Sequence, residues 1–182
     1  MQFVPTRIAD VVLIKPKVFG DSRGFFLEAW HDQRFAAAGI SVKFVQDNHS
    51  RSCQWTLRGL HYQIRQPQGK LVSVARGKAF DVAVDLRRSS PTFGQWVGVE
   101  LDDRDNHLLW VPPGFAHGFL ALSETVDFLY KCTDFYAPQY ERAVVWNDRQ
   151  LGIEWPIPTG VQPLLAPKDA AAPGFADADL FS

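Results

Sequence analysis

The sequence holds only two cysteines and one methionine in 182 residues. Cys53 and Cys132 are too few and too far apart for a disulfide framework or a zinc site, so both read as buried free thiols. No apolar run reaches transmembrane length. The start, Met1-Gln2-Phe3-Val4-Pro5-Thr6-Arg7, lacks the basic and apolar regions of a signal peptide. A cytoplasmic protein with no membrane partner is expected. Charge of one sign is missing as well: 19 basic and 20 acidic residues leave a net charge of −1. That balance gives no overall footprint for nucleic acid, and any anionic ligand must be held locally by arginines and lysines. Helical spacing is scarce. Only the stretch from Asp32 to Ala38 reads as a helix, capped by Asp32 and ended by Gly39.

What the chain has in quantity is aromatic residues, 13% of the total with fourteen Phe and six Trp, and apolar alternation at period two. Phe80, Val82 and Val84 alternate with Ala79, Asp81, Ala83 and Asp85, which predicts a strand with one apolar face and a second face open to water or ligand. Arg76-Gly77-Lys78 lies between this strand and Leu71-Val72-Ser73-Val74, so the two runs read as a hairpin. Further strands are expected over 96–101, 107–111, 116–122 and 125–133, with breaks at the polar turn 102–106 and at Pro112-Pro113-Gly114. Residues 170–182 read as a loosely held small-residue tail of a single domain spanning 1–182. Many short strands with Gly and Pro turns predict an all-β chain, a β-sandwich or jelly roll.

The chemistry concentrates around Leu57-Arg58-Gly59-Leu60-His61-Tyr62-Gln63, where an imidazole able to exchange a proton near neutral pH follows an arginine on an apolar strand. Pro112-Pro113-Gly114-Phe115-Ala116-His117-Gly118 has the spacing of the second motif of cupin jelly rolls. A metal-binding cupin also needs two histidines one residue apart and a following glutamate. Gln63 stands where the second histidine would be, so the ligand set is incomplete and no metal or other cofactor is expected.

These blocks, with Asp21-Ser22-Arg23-Gly24-Phe25-Phe26, Gln46-Asp47-Asn48-His49-Ser50, Asp81-Val82-Ala83-Val84-Asp85-Leu86-Arg87 and Leu129-Tyr130-Lys131, occur in family order and spacing over nearly the whole chain. The sequence resembles the dTDP-4-dehydrorhamnose 3,5-epimerase family of metal-independent cupins. The resemblance implies a cupin-type jelly roll of two antiparallel sheets with a few short peripheral helices. It further implies a substrate that is a dTDP-linked 4-keto-6-deoxy sugar. By the same resemblance His61 is the base, Asp169 the carboxylate that fixes its tautomer, Lys70 the stabiliser of charge on O4, and Tyr130 the proton donor from the opposite face. His117, oriented by Asp81, lines the same pocket. Arg23 and Arg58 match phosphate-contacting positions, Glu28, Gln46 and Asn48 nucleotide or sugar contacts, Tyr136 the residue stacked on thymine, and Glu141 and Lys168 further substrate contacts. A homodimer with exchanged N-terminal strands is implied, so Arg23 and Glu28 would serve the partner's pocket.

Read without the family, several of these residues are ordinary. Lys70 serves equally as a solvated turn lysine, Tyr130 as a core residue, Asp169 and Glu28 as surface residues, and Arg23 as a turn arginine. Three other functions compete at this level, the second opposed by the missing second histidine and the third by the presence of both His61 and Tyr130. One is a single-position epimerase of a related 4-keto sugar, which keeps the His, Lys and Tyr set. The others are a metal-dependent cupin oxygenase and a non-catalytic sugar-nucleotide binding module.

Overall fold

A computed structural model describes residues 1–182. In chain order it contains β1 (Gln2–Pro5), β2 (Val12–Lys15), β3 (Val18–Asp21), β4 (Gly24–Leu27), helix α1 (Asp32–Ala37), β5 (Gln46–Cys53) and β6 (Leu57–Gln63). There follow β7 (Lys70–Arg76), β8 (Lys78–Asp85), β9 (Trp96–Asp102), β10 (Leu108–Val111), β11 (Phe115–Ala121), β12 (Thr125–Cys132), β13 (Glu141–Ala143) and helix α2 (Pro167–Ala170). Six strands form one sheet in the order β1-β2-β10-β7-β12-β5, five form a second in the order β13-β6-β11-β8-β9, and β3 and β4 make a separate ribbon. Neighbouring strands in the two main sheets run antiparallel. This is the jelly-roll architecture expected of short alternating strands. No helix is long and apolar enough to cross a membrane.

The two sheets close on each other over Val72, Val74, Leu109 and Phe128 from one side and Ala79, Ala83, Val97, Leu101 and Phe119 from the other. Small residues on β8 let the walls approach, while Phe119 and Phe128 stack with ring centroids 4.1 Å apart. The outer faces are covered too. Helix α1 brings Phe35 against Ile14, Leu71, Leu108 and Trp110 on the six-stranded sheet. The chain beyond β13 lays Val144, Leu151, Phe175 and Ala178 over Leu60, Tyr62, Val82 and Val84 on the other.

Five local expectations are corrected here. Cys53 is exposed, and only Cys132 is a buried thiol. The tail is packed: Phe175 is 3% and Ala178 8% exposed, and the Arg88 amide donates to the Phe181 carbonyl. Its two phenylalanines, set among small residues, supply the anchoring. The runs flanking Gly77 do not form a hairpin, because β7 and β8 belong to different sheets and Gly77 (φ +83°) turns the chain from one wall to the other. A β-carbon there would lie 2.1 Å from the Thr125 carbonyl oxygen, so the corner requires glycine. The α1 cap is His31, with no side-chain capping bond, and Asp32 sits in the first turn, where its charge favours the helix dipole. Finally, the polar face of β8 is not a water face, since Asp81 and Asp85 are both fully buried.

Asp85 is held by Arg87 Nε at 2.9 Å, Ser90 Oγ at 2.6 Å and Thr92 Oγ1 at 2.7 Å. Burial alone would raise its carboxyl, but these donors pull it down to about 2 from the ordinary 3.8. With the folded value depressed, the stabilisation is complete above the unfolded value and is lost as pH falls through the folded one. Urea titrations of Asp85→Asn are therefore expected to show about 2 kcal/mol less stability at pH 7 than the parent chain, and a flatter decline below about pH 4.

Candidate active site

Between the sheets lies a cavity of about 380 Å³. Its histidines owe their placement to two glycines. On adjacent strands β6 and β11, His61 stands opposite His117. A β-carbon on Gly59 would lie 2.6 Å from Gly118 Cα, and one on Gly118 would lie 2.6 Å from the Arg58 carbonyl oxygen. Only bare backbone at both positions allows this approach.

His61 Nε2 lies 2.6 Å from Asp169 Oδ1, across 108 residues of sequence. Asp169 is almost fully buried, and the Gly59 amide donates to its other oxygen at 3.4 Å. Burial opposes ionisation of this carboxyl, but the hydrogen bonds from His61 and Gly59 hold it below the usual carboxylate range. An ionised Asp169 only accepts, so Nε2 carries the proton and Nδ1 is left with a free lone pair. His117 Nε2 is likewise 2.8 Å from buried Asp81 Oδ2, while Asp81 Oδ1 has no partner.

Tyr130 and Lys70 enter from the facing wall, on β12 and β7 of the six-stranded sheet. Burial pushes the Tyr130 phenol above its ordinary value, with Cys132 adding to the effect and Arg58 opposing it, so the hydroxyl stays protonated at neutral pH. Desolvation pushes the partly buried Lys70 ammonium below the usual lysine range, against the pull of Cys132, Asp81 and Glu141. Toward the rim, Lys168 Nζ lies 2.9 Å from Glu141 Oε1, and the Tyr136 hydroxyl donates to Glu141 Oε2 at 3.2 Å. Arg58 donates to Ser52 Oγ at 3.1 Å.

The cavity thus gathers His61, Lys70, Tyr130, Asp169, Gln46, Asn48, Arg58, His117, Tyr136, Glu141 and Lys168, with Asp81 buried behind His117. Arg23 and Glu28 are not among its walls. Arg23, 88% exposed, bonds Asp21 on the β3–β4 ribbon, and Glu28 pairs with Arg34. Among the polar wall residues, Ser50 and Gln68 carry no role in the sequence analysis. Ser50 follows Gln46 and Asn48 on the same face of β5, an alternation that marks it, and its buried hydroxyl has no partner. Gln68 precedes β7 and carries no periodic signal. No group of three or more His, Cys, Asp and Glu side chains is gathered so as to hold a metal ion.

The family model described as dTDP-4-dehydrorhamnose 3,5-epimerase matches residues 5–177. The chain belongs to the dTDP-4-dehydrorhamnose 3,5-epimerase family. A member of that name from Pseudomonas aeruginosa is 59% identical over 179 residues, covering 97% of this chain and 98% of the relative. Among solved structures, the dTDP-6-deoxy-D-glucose-3,5-epimerase of Legionella pneumophila, in complex with dTDP-4-keto-L-rhamnose, superposes with a TM-score of 0.94 at 52% identity. It covers 98% of this chain and 94% of its own. A 3'-monoepimerase from Streptomyces bikiniensis in complex with dTDP-quinovose superposes at 0.88 with 34% identity, over 94% of this chain and 87% of that one. The fold of this family member is therefore the cupin type that its motifs suggested.

The glycine approach gives a direct test of how the site is built. Gly118→Ala must push β6 and β11 apart at the histidine pair, and urea unfolding is expected to show a loss of about 1–3 kcal/mol. Unchanged stability would mean that the strands can separate freely.

Proposed function

We propose that the chain is a dTDP-4-dehydrorhamnose 3,5-epimerase, inverting C3 and C5 of dTDP-4-dehydro-6-deoxy-D-glucose to give dTDP-4-dehydro-L-rhamnose in dTDP-L-rhamnose biosynthesis. The observation that carries this reading is the facing arrangement of a carboxylate-bound imidazole on one sheet and the Tyr130 phenol and Lys70 amine on the other. A ketone at C4 acidifies the hydrogens on both neighbouring carbons. His61 Nδ1 takes one of these protons, and the electron pair passes into an enolate whose oxygen lies against the Lys70 ammonium. Tyr130 returns a proton from the opposite wall, so the carbon is rebuilt with inverted configuration. After each inversion the His61 imidazolium gives up its proton and the Tyr130 phenolate regains one by exchange with solvent, so the cycle can repeat at the second carbon; the reaction moves protons and no net electrons. The Asp169 carboxylate fixes the His61 tautomer and offsets the imidazolium that forms.

The nucleotide half falls to the rim. Arg58 and Lys168 supply donors for the diphosphate, Tyr136 a platform for the base, and Gln46, Asn48, Glu141 and the Asp81-oriented His117 polar contacts to nucleotide or sugar. A homodimer accounts for the β3–β4 ribbon, where Phe19, Phe25 and Phe26 are 52%, 61% and 68% exposed. Exchanged between subunits, the ribbon would bring Arg23 and Glu28 to the partner's cavity. The two free thiols, Cys53 and Cys132, suit a reducing compartment such as the cytoplasm.

The likeness to a 3'-monoepimerase keeps single inversion as the second reading. Incubation with dTDP-4-dehydro-6-deoxy-D-glucose in heavy water separates the two, since proton NMR should show loss of both the C3 and C5 signals. Loss of one alone would assign a single-position epimerase. His61→Ala is expected to slow exchange at both carbons by about 100-fold or more, whereas Tyr130→Phe should retain exchange and impair inversion. Full epimerisation by His61→Ala would remove His61 from the role of base.

A further inference from the structure

Gln63 lies two residues beyond His61 on β6, and both ends of its amide are committed to backbone. Its Nε2 donates to the carbonyls of Gln66 at 2.8 Å and Phe135 at 3.2 Å, and its Oε1 accepts the Ala137 amide at 2.8 Å. Two more glutamines grip the same loop. Gln68 Nε2 donates to the Asp134 carbonyl at 2.8 Å, and Gln46 Oε1 accepts the Tyr136 amide at 2.8 Å. Each residue from Asp134 to Ala137 thus gives one backbone group to a glutamine side chain. The loop has no regular structure of its own, and Phe135 and Tyr136 are 61% and 51% exposed, so packing holds it only at Ala137, which is buried. The three grips come from β5, from β6 and from the segment entering β7, which ties the loop to both walls of the cavity.

We propose that Gln63, 4% exposed, is a positioning residue for nucleotide recognition. With Gln46 and Gln68 it clamps the 134–137 loop so that the Tyr136 ring stands fixed at the rim as the platform for the base. The inference rests on the assignment of Tyr136 to the base given above. Its chemical content is that this position needs an uncharged primary amide. Only such a group donates to two carbonyls and accepts an N–H at once. Glutamate would turn an acceptor toward two carbonyls, and histidine, the residue of metal-binding cupins at this place, would offer one nitrogen to both. The clamp therefore governs affinity and selectivity for the nucleotide, separately from proton transfer at the sugar.

Calorimetric binding of dTDP and of inorganic pyrophosphate to the full chain tests this, using Gln63→Met, Tyr136→Ala and the double variant. Gln63→Met is expected to raise Kd for dTDP about tenfold, the worth of one or two net hydrogen bonds, and to leave pyrophosphate within about twofold. In the Tyr136→Ala background Gln63→Met should weaken dTDP no further, because its effect passes through the ring. Equal losses for both ligands, additive losses in the double variant, or unchanged dTDP binding in Gln63→Met would each overturn the clamp. Failure of the parent chain to bind dTDP would instead overturn the nucleotide assignment on which the clamp rests. Should Gln63→Met not fold, Gln68→Met, nearer the surface, is expected to show the same selective loss in smaller measure, and equal affinity for dTDP would count against the proposal.

Discussion

The site depends first on the hydrogen bond between His61 and Asp169. It joins β6 of the five-stranded sheet to a short helix 108 residues later, and it fixes which imidazole nitrogen faces the cavity. A buried carboxylate is costly unless it is satisfied, and Asp169 is satisfied by His61 and the Gly59 amide. The same bond therefore locks the C-terminal segment against β6 and orients the His61 ring. Packing of Phe175 and Ala178 over the outer face of the sheet holds that segment in place from behind.

The second constraint is the division of chemistry between walls. His61 and His117 belong to one sheet, Lys70 and Tyr130 to the other, and the apolar stack of Phe119 and Phe128 links the two. Proton removal and return on opposite faces of a sugar ring need donors and acceptors fixed on opposite sides, and two rigid sheets meet that need better than loops would. Desolvation between the walls raises the Tyr130 phenol and lowers the Lys70 ammonium from their ordinary values, so the burial that makes the barrel stable also shifts the titration of both groups.

Much of this was legible in the sequence because alternation at period two is a local property. The strands around 79–85, 96–101 and 125–133 follow from it directly. The pairing of His117 with Asp81 entered through family resemblance, since the two lie in separate blocks on β11 and β8. What alternation does not encode is which strands pair. Gly77 looks the same whether it closes a hairpin or carries the chain across to another sheet, and only the pairing of β7 with β10 and β12 decides. The C-terminal segment misled for a related reason, since buried Phe175 and half-buried Phe181 outweigh the loose composition around them. Asp169 had no periodic signal at all, and its role entered through family resemblance alone. Gln63 was legible as a departure from a metal-ligand pattern, but its grip on the 134–137 loop depends on contacts far along the chain.

The central claim, that Asp169 holds His61 with its proton on Nε2 and its lone pair toward the cavity, is tested most directly by nitrogen-15 NMR of the histidine rings. The account predicts a neutral His61 protonated at Nε2 in the parent chain, with a strongly downfield proton from the 2.6 Å bond that disappears in Asp169→Asn. A proton on Nδ1, or a His61 spectrum unchanged by Asp169→Asn, would contradict it.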